Sequence, residues 1–337
     1  MCFSEIIYTF SYRKKLLNES QIILIKTIGL AANLVTLNRT LRWMKISYQQ
    51  YYTWINKVDC SYSFLKMCLK KYPHQLSDKE IDVVKEFVTD EAYLHWSTAS
   101  IYCQMLRKAK TFMSLATFRK YAKWTNPNLS DRRKRLKKRW KGLRAHASKQ
   151  ILHMDVTIFR PSDHSRVYIY LIMDNFSRAI MGWKVSLQYS SEIALENLKE
   201  VCDKYCLLNS NVQLVVDDGP ENNGSVNDFF SVPGIKFKKL IAQVDILQSN
   251  SMIEAANKRI KYDYLFTKEL LDFEAVKVYI SSAIESFNNK PLNVLTAYTP
   301  LEVLEGAIPD KNRFKAQTRI AVQERKLANK QQACCVL

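Results

Sequence analysis

Residues 151–187 read ILHMDVTIFRPSDHSRVYIYLIMDNFSRAIMGWKVSL, and this stretch decides the fold class of the 337-residue chain. Its apolar runs have the length and composition of β-strands, which we predict at residues 151–159, 167–173 and 179–187. A polar turn at residues 161–165 joins the first two runs, and a short connection joins the next two. Strands joined this closely pair antiparallel, so the stretch predicts a three-stranded meander.

Helices and strands alternate after the meander. The apolar periodicity predicts five elements: helices at 191–207, 249–270 and 273–288, and strands at 212–216 and 235–242. Three antiparallel strands followed by such an alternation give a mixed sheet with helices on its faces. We therefore predict an α/β core at residues 151–308, followed by a basic tail, helical or loose, at 309–337.

The chain before this core is helical and basic, and it predicts two modules of helix-turn-helix type. We place the first in residues 1–70, where Ser47 is a candidate N-cap between two short helices over residues 34–57. The second lies in residues 71–130. Three-helix bundles that bind no DNA show the same pattern, so the pattern alone does not assign a function.

Candidate helix caps define the second module. Ser77 and Glu80 have the spacing of a capping box at the start of its first helix. A second helix is expected near residues 97–107, and Ser114 is the candidate N-cap of the third. The third helix turns Phe118 inward and presents a basic outward face, as a DNA-recognition helix requires. The residues of that face are Arg119, Lys120 and Lys123.

Lys and Arg outnumber Asp and Glu by 51 to 32, which gives a net charge of +19. A surplus of this size points to a polyanionic partner, and nucleic acid is the usual one. The charge is concentrated in residues 132–149, where ten of eighteen residues are basic and none is acidic. We predict that residues 131–150 are an interdomain linker that also binds DNA phosphates. The candidate phosphate-binding residues are Arg133, Lys134, Lys137 and Lys138.

Nothing in the sequence indicates a membrane protein or a secreted one. No stretch reaches 18 uninterrupted apolar residues, and the N-terminus lacks the basic start and cleavage site of a signal peptide. The eight cysteines form no CxxC pair, and the five histidines are not spaced as zinc ligands. We therefore expect a cytoplasmic protein with reduced thiols.

Three carboxylates are candidates for a catalytic metal site. Asp155 lies in the middle of the first predicted strand, Asp217 ends the fourth strand, and Glu254 lies early in a helix. A carboxylate at the edge of a core is costly unless it is paired or metal-bound, and three of them together repel one another. Divalent cations resolve that repulsion, and oxygen ligands of this kind suit Mg²⁺ or Mn²⁺. Each acid taken alone has the alternative of being an ordinary surface residue.

The motifs around these acids, in chain order, resemble those of DDE transposases and retroviral integrases. They are DVT at 155–157, MDNFSR at 173–178, DDGPE at 217–221 and NSMIE at 250–254. FNNKP at 287–291 with TPLE at 299–302 is similar to the closing signature of insertion-sequence transposases. The resemblance covers about residues 151–305, and the two upstream modules resemble the N-terminal region of the same bacterial enzymes.

This resemblance implies a ribonuclease H-like fold and DNA strand cleavage and transfer for a mobile element. It gives catalytic and metal-binding roles to Asp155, Asp217 and Glu254, with two Mg²⁺ or Mn²⁺ ions per site. Lys258 and Lys261, on the helical face of Glu254, are expected to contact DNA.

The implied partners are double-stranded DNA, both element ends and target, further copies of the chain in a homo-oligomer on DNA, and in some systems a helper protein. No membrane partner is expected, and the implied location is the nucleoid in a bacterial cytoplasm.

Two features depart from the family pattern or leave a choice open. Leu152 and Ser251 stand where the family often has Trp and Gly, but neither change removes a metal ligand. Asp218 gives the commoner spacing to Glu254, whereas the turn at Gly219 favours Asp217 as the catalytic acid. Two alternative functions also remain: a DNA-binding regulator with a decayed core, and a nuclease of the same fold without strand transfer.

Overall fold

The computed structural model describes residues 23–58, 72–126, 143–232 and 234–331. The candidate linker residues Arg133, Lys134, Lys137 and Lys138 lie outside these ranges. Contacts divide the chain into two compact units, Met1–Leu76 with Val322–Leu337, and Ser77–Ala321. The described residues contain no helix that is long and apolar enough to cross a membrane.

Among its described residues, the first unit contains three short helices and the C-terminal part of the last helix of the chain. The short helices are α1 at 23–32, α2 at Leu37–Trp43 and α3 at Tyr48–Val58. Ile28, Leu41 and Tyr51 form their buried core. The Ser47 hydroxyl accepts from the Gln50 N–H at 3.1 Å, which is the N-cap bond predicted between the two helices of this region.

The second unit begins with three helices that pack on one another. They are α4 at Asp78–Thr89, α5 at Thr98–Arg107 and α6 at Leu115–Thr125, with a 3₁₀ turn at Glu91–Tyr93. The capping box of Ser77 and Glu80 is present, and Ser114 caps α6 through the Thr117 N–H. These caps were predictable because their partners lie three residues away. The assignment of either helical module to DNA recognition stays a prediction.

The core of the second unit is a five-stranded mixed sheet of order β3-β2-β1-β4-β5. The strands are β1 at Ile151–Phe159, β2 at Val167–Asp174, β3 at Ile180–Ser186, β4 at Gln213–Val216 and β5 at Lys238–Ile241. The first three form the predicted antiparallel meander, and β4 and β5 run parallel to β1. The predicted mixed α/β core is therefore confirmed, although β5 is shorter than the predicted strand.

Helices cover both faces of this sheet. The remaining helices are α7 at Ser191–Tyr205, α8 at Ser225–Phe230, α9 at Ser251–Arg259, α10 at Phe273–Asn289, α11 at Pro300–Leu304 and α12 at Lys315–Gln331, with 3₁₀ turns at Pro220–Asn222 and Asn293–Leu295. Leu152 and Met154 of β1 pack in the cluster that contains α7, whereas Phe159 packs with α9 and α10. Since side chains alternate along a strand, His153 and Asp155 face α9.

The prediction of one long α-helix over residues 249–270 is wrong. The α-helix ends at Arg259 and is followed by a π-helical turn at Ile260–Tyr264 and a 3₁₀ turn at Leu265–Thr267. The altered turns serve tertiary contacts: Asp263 lies 3.6 Å from the buried Lys290 ammonium, and the Tyr264 ring packs against His95. Periodicity predicts which residues are apolar, but not which distant partners a turn must meet.

Candidate active site

Asp155 lies in β1, where partial burial makes its negative charge energetically unfavourable. Its carboxylate is half-buried and accepts from the Val156 N–H at 2.8 Å and from Asn257 Nδ2, on α9, at 2.6 Å. Burial, with a smaller contribution from the charge of Asp217, raises the pKa of Asp155 to about 6. At neutral pH this site therefore holds an anion that the protein itself compensates only in part.

Asp217 follows β4, the strand next to β1. Its side chain is half-buried, and its pKa is raised first by burial, then by the charges of Glu254 and Glu221. The neighbouring Asp218 is exposed. Asp217 is thus the more buried of the two neighbours, and its choice over Asp218 as the catalytic acid stays a prediction.

Glu254 lies in the first turn of α9 and is exposed. Because its charge raises the pKa of Asp217, and the charge of Asp217 raises that of Asp155, the three acids form one coupled group. Lys258 is exposed one turn after Glu254, whereas Lys261 is half-buried within the π-helical turn. Lys258 is therefore the more accessible of the two ammonium groups, Lys261 lies beyond the α-helical spacing that the sequence predicted, and contact of either lysine with DNA stays a prediction.

These acids suit a hard divalent cation, although no three His, Cys, Asp or Glu side chains of the described residues converge into a ready-made metal cage. Asn257 Oδ1 is buried beside Asp155 and has no hydrogen-bond partner among the described residues. An oxygen-rich site with an unsatisfied buried acceptor has the chemistry that Mg²⁺ or its bound water would satisfy.

Glu221 is a fourth carboxylate that the sequence placed in a motif without giving it a role. It is buried, receives a hydrogen bond from the Tyr189 hydroxyl, and accepts from Asn222 Nδ2 at 3.0 Å. Its charge raises the pKa of both Asp155 and Asp217. A glutamate directly after a glycine-proline turn was the available sequence signal, but only the folded structure brings its charge near Asp155 and Asp217.

Gly219 allows this return of Glu221. A Cβ atom added at Gly219 would lie within 2.6 Å of Glu221 Cδ, which no real Cβ contact tolerates. The amide of Asn222 also donates to the Asp217 carbonyl at 3.0 Å, so the turn closes on the strand end that carries Asp217. The DDGPE motif is therefore a folded loop that holds the carboxylates of Asp217 and Glu221 on its inner side, whereas Asp218 is exposed.

His153 is a second residue to which the sequence assigned no role. Its ring is buried and lies between Asn250, with Nδ1 to Oδ1 at 2.7 Å, and Asn175, with Nε2 to Nδ2 at 2.9 Å. Burial lowers the pKa of His153 to about 4, so the imidazole is neutral at physiological pH. A histidine inside an apolar strand was the only sequence signal for it.

Two of the quoted motifs mainly shape the backbone. Asp174 is fully buried and accepts from the Ser177 N–H and hydroxyl at 2.7 and 2.6 Å, which closes the turn before β3. Asn288 makes two hydrogen bonds of 2.9 Å with the backbone of Ile180. These residues position the sheet that holds the acids, and they do not reach the site themselves.

The TPLE motif joins the core to the preceding helices. Thr299 and Glu302 form the capping box of α11. The Glu302 carboxylate also receives two hydrogen bonds from the Arg107 guanidinium, at 2.7 and 2.8 Å, and this pairing lowers the pKa of Glu302. The bidentate geometry makes this ion pair one of the stronger ones in the second unit.

The predicted recognition face of α6 is present as a surface. Arg119, Lys120 and Lys123 are exposed, while Phe118 is buried. The Lys120 ammonium lies 4.7 Å from the centre of the exposed Trp124 ring. This basic and aromatic surface has the composition of a nucleic-acid contact, and its role stays a prediction.

Comparison with known proteins identifies the core. A family model described as integrase core domain matches residues 145–256. No curated protein matches the chain.

Three solved structures illustrate the likeness. The HTLV-2 integrase catalytic core domain in complex with magnesium (trimeric form) shows 18% identity and a TM-score of 0.38, covering 48% of this chain and 99% of that one. The simian T-cell lymphotropic virus intasome in complex with PP2A regulatory subunit B56 gamma shows 13% identity and a TM-score of 0.41, covering 67% and 78%. The catalytic core domain of BIV integrase shows 19% identity and a TM-score of 0.34, covering 47% and 95%.

Proposed function

We propose that this chain, whose residues 145–256 match the integrase core domain, acts as a member of the superfamily of DDE transposases and retroviral integrases: it cleaves DNA and joins the freed end to a target. The observation that carries the proposal is the placement of three acids on packed elements: Asp217 follows β4, the neighbour of β1, and Glu254 lies in the first turn of α9, whose Asn257 donates to the half-buried Asp155 carboxylate on β1 at 2.6 Å. Selection for stability alone would replace such a carboxylate, whereas a metal-dependent phosphoryl transfer requires it.

The chemistry consists of two in-line displacements at phosphorus. In the first, a water oxygen attacks the phosphodiester at the element end, and the bond between phosphorus and the 3′ oxygen breaks to leave a 3′-hydroxyl. In the second, that hydroxyl attacks a target phosphodiester, forms the new phosphorus–oxygen bond and releases the target's own 3′ oxygen. Neither step requires a protein nucleophile, so no covalent protein–DNA intermediate arises.

Each residue of the site has a defined part in this chemistry. Asp155 and Asp217, on neighbouring strands, and Glu254, on α9, would hold two Mg²⁺ or Mn²⁺ ions. Such ions, when bound, stabilise the charge that develops on the attacking and leaving oxygens. Asn257 orients the Asp155 carboxylate through its 2.6 Å hydrogen bond. Lys258, exposed beside Glu254, is placed to bind a phosphate of the DNA strand.

The partner in this proposal is double-stranded DNA, both as element end and as target. The net charge of +19 and the exposed basic surface of α6 support it. Pairing of two element ends calls for a homo-oligomer on DNA, with or without a helper protein, and a mobile element of a bacterial nucleoid is the setting that the motifs suggest.

The test is an incubation of the full chain with a labelled element end, a target plasmid and Mg²⁺. The wild type is expected to cut and to join, and Asp217→Asn and Glu254→Gln to bind the end but do neither. Asp218→Asn is the matched control, since the same chemical change at an exposed neighbour should leave most activity. Intact DNA with the wild type would instead indicate a regulator, and cutting without joining a nuclease.

A further inference from the structure

The hydrogen bonds around His153 form one continuous chain whose two ends are fixed by the backbone. At one end, Asn175 Oδ1 accepts from the Ala145 N–H at 2.9 Å, so Asn175 Nδ2 is the atom that faces His153 Nε2. At the other end, Asn250 Nδ2 donates to the Met154 carbonyl at 3.0 Å, so Asn250 Oδ1 faces His153 Nδ1. The imidazole therefore accepts at Nε2 and donates at Nδ1.

This series of hydrogen-bonded side chains, which we call the His153 network, consists of His153, Asn175 and Asn250. All three are buried, with exposed fractions of 2%, 2% and 0%. A buried amide that turned away from its partner would leave polar atoms without hydrogen bonds, at the full cost of their desolvation. Each hydrogen bond of the network therefore fixes the orientation of the next group. The network joins three segments that are distant in sequence: strand β1, the turn after β2, and the turn before α9.

Asn250 is the residue that connects the His153 network to helix α9. It stands at the N-cap of α9, where an asparagine side chain usually accepts from the first helical N–H groups, yet it makes no such bond. Its amide instead donates to the Met154 carbonyl at 3.0 Å, one residue before Asp155. The side chain thus does not cap α9 but links the start of the helix that carries Glu254 with the strand that carries Asp155.

We propose that His153 is a positioning residue of the catalytic centre, and that its imidazole, donating from Nδ1, fixes Asn250 so that Asp155 on β1 and Glu254 on α9 keep the spacing required for metal binding. This inference rests on the proposed function for its link to DNA cleavage. Its link to metal binding is independent of any reaction, because it concerns the geometry of the carboxylates alone.

Two substitutions separate the two sides of the imidazole. The amide nitrogen of Asn can occupy the place of the ring Nδ1, and the amide oxygen of Gln can occupy the place of Nε2. His153→Asn keeps the donor to Asn250 and loses the bond to Asn175, whereas His153→Gln does the reverse. Each variant loses one buried hydrogen bond, so they form a matched pair for stability.

The measurements are thermal unfolding, DNA binding, cleavage rate and Mn²⁺ affinity, made on the full chain without other metals. His153→Gln should lower the cleavage rate and weaken Mn²⁺ binding by about 10–100-fold, the usual effect of removing a residue that orients a metal ligand. The KM for DNA should not change. His153→Asn should stay close to the wild type in both properties. Asn250→Ala should reproduce the loss, and combining it with His153→Gln should add little.

Equal behaviour of the two His153 variants, or losses that follow their unfolding temperatures, would overturn the inference. If His153→Gln does not fold, Asn250→Ala decides alone, and unchanged Mn²⁺ affinity in that variant rejects the network. If the wild type binds Mn²⁺ but never cuts DNA, the proposed function is refuted. The relative Mn²⁺ affinities of the variants would then still test the role of His153. A wild type that neither binds Mn²⁺ nor cuts refutes both.

Discussion

Replacing Asp155 by Asn should make the metal-free protein more stable at neutral pH. The pKa of Asp155 is raised from 3.8 to about 6, so the folded state binds the proton more tightly than the unfolded state. Stability is therefore lost as the pH rises from about 4 to about 6, and the loss is complete above that. A shift of about two pKa units corresponds to about 3 kcal/mol. Since Asp155 is only half-buried, solvent screening reduces the figure to about 1–2 kcal/mol.

The hydrogen bonds around residue 155 can be kept after the substitution, so the gain in free energy of unfolding is not cancelled by a lost bond. Asparagine keeps the acceptor for the Val156 N–H, and Asn257 can turn its amide so that the oxygen without a partner receives the new N–H. For a unit the size of Ser77–Ala321, about 1–2 kcal/mol corresponds to a rise of about 2–8 °C in unfolding temperature.

The assay is thermal unfolding in a metal chelator from pH 4 to pH 8, for the wild type, Asp155→Asn and Glu254→Gln. Glu254→Gln is the matched control, because it also removes a candidate metal ligand but changes an exposed carboxylate. It should lose cleavage without gaining stability. Added Mg²⁺ should stabilise the wild type and not Asp155→Asn. The reasoning fails if Asp155→Asn is no more stable at pH 7.5, or if its advantage is the same at pH 4.

Two further experiments test the loop at Gly219 and the basic linker. Gly219→Ala should displace Glu221 from Tyr189, lower the free energy of unfolding measured in urea by about 1–3 kcal/mol, and reduce cleavage. Gly29→Ala is the control, because its Cβ meets open space and the substitution should not destabilise the protein. Equal effects of the two substitutions would contradict the packing argument. Replacing Arg133, Lys134, Lys137 and Lys138 by Gln should reduce the slope of log affinity against log salt by about 0.9 per lost phosphate contact, equally on specific and random DNA, and an unchanged slope would show that the linker binds no phosphate.

Local sequence rules predicted much of this chain because their physical partners are near in sequence. The capping box of Ser77 and Glu80 spans three residues, and the strands of the meander are joined by short turns. The three acids were recognisable from their motifs, and the choice of Asp217 over Asp218 agrees with their exposure. The basic linker and the two helical modules remain predictions as DNA-binding segments.

Other features depend on contacts that no local rule contains. His153 bonds to Asn250 across 97 positions, and Asp263 meets Lys290 where the helix turns from α to π geometry. Glu221 lies three positions after Asp218 in the sequence, but only the folded loop brings its charge to Asp155.

The sequence by itself determined the α/β class and the strand order of the meander, because periodicity, turns and caps act over a few residues. It also selected three candidate acids by their motifs, and their catalytic role stays a prediction. The tertiary structure alone decided which polar groups surround those acids. A buried hydrogen bond or a raised carboxylate pKa depends on the distance between side chains and on their removal from water, and both are fixed only when β1, β4 and α9 pack together.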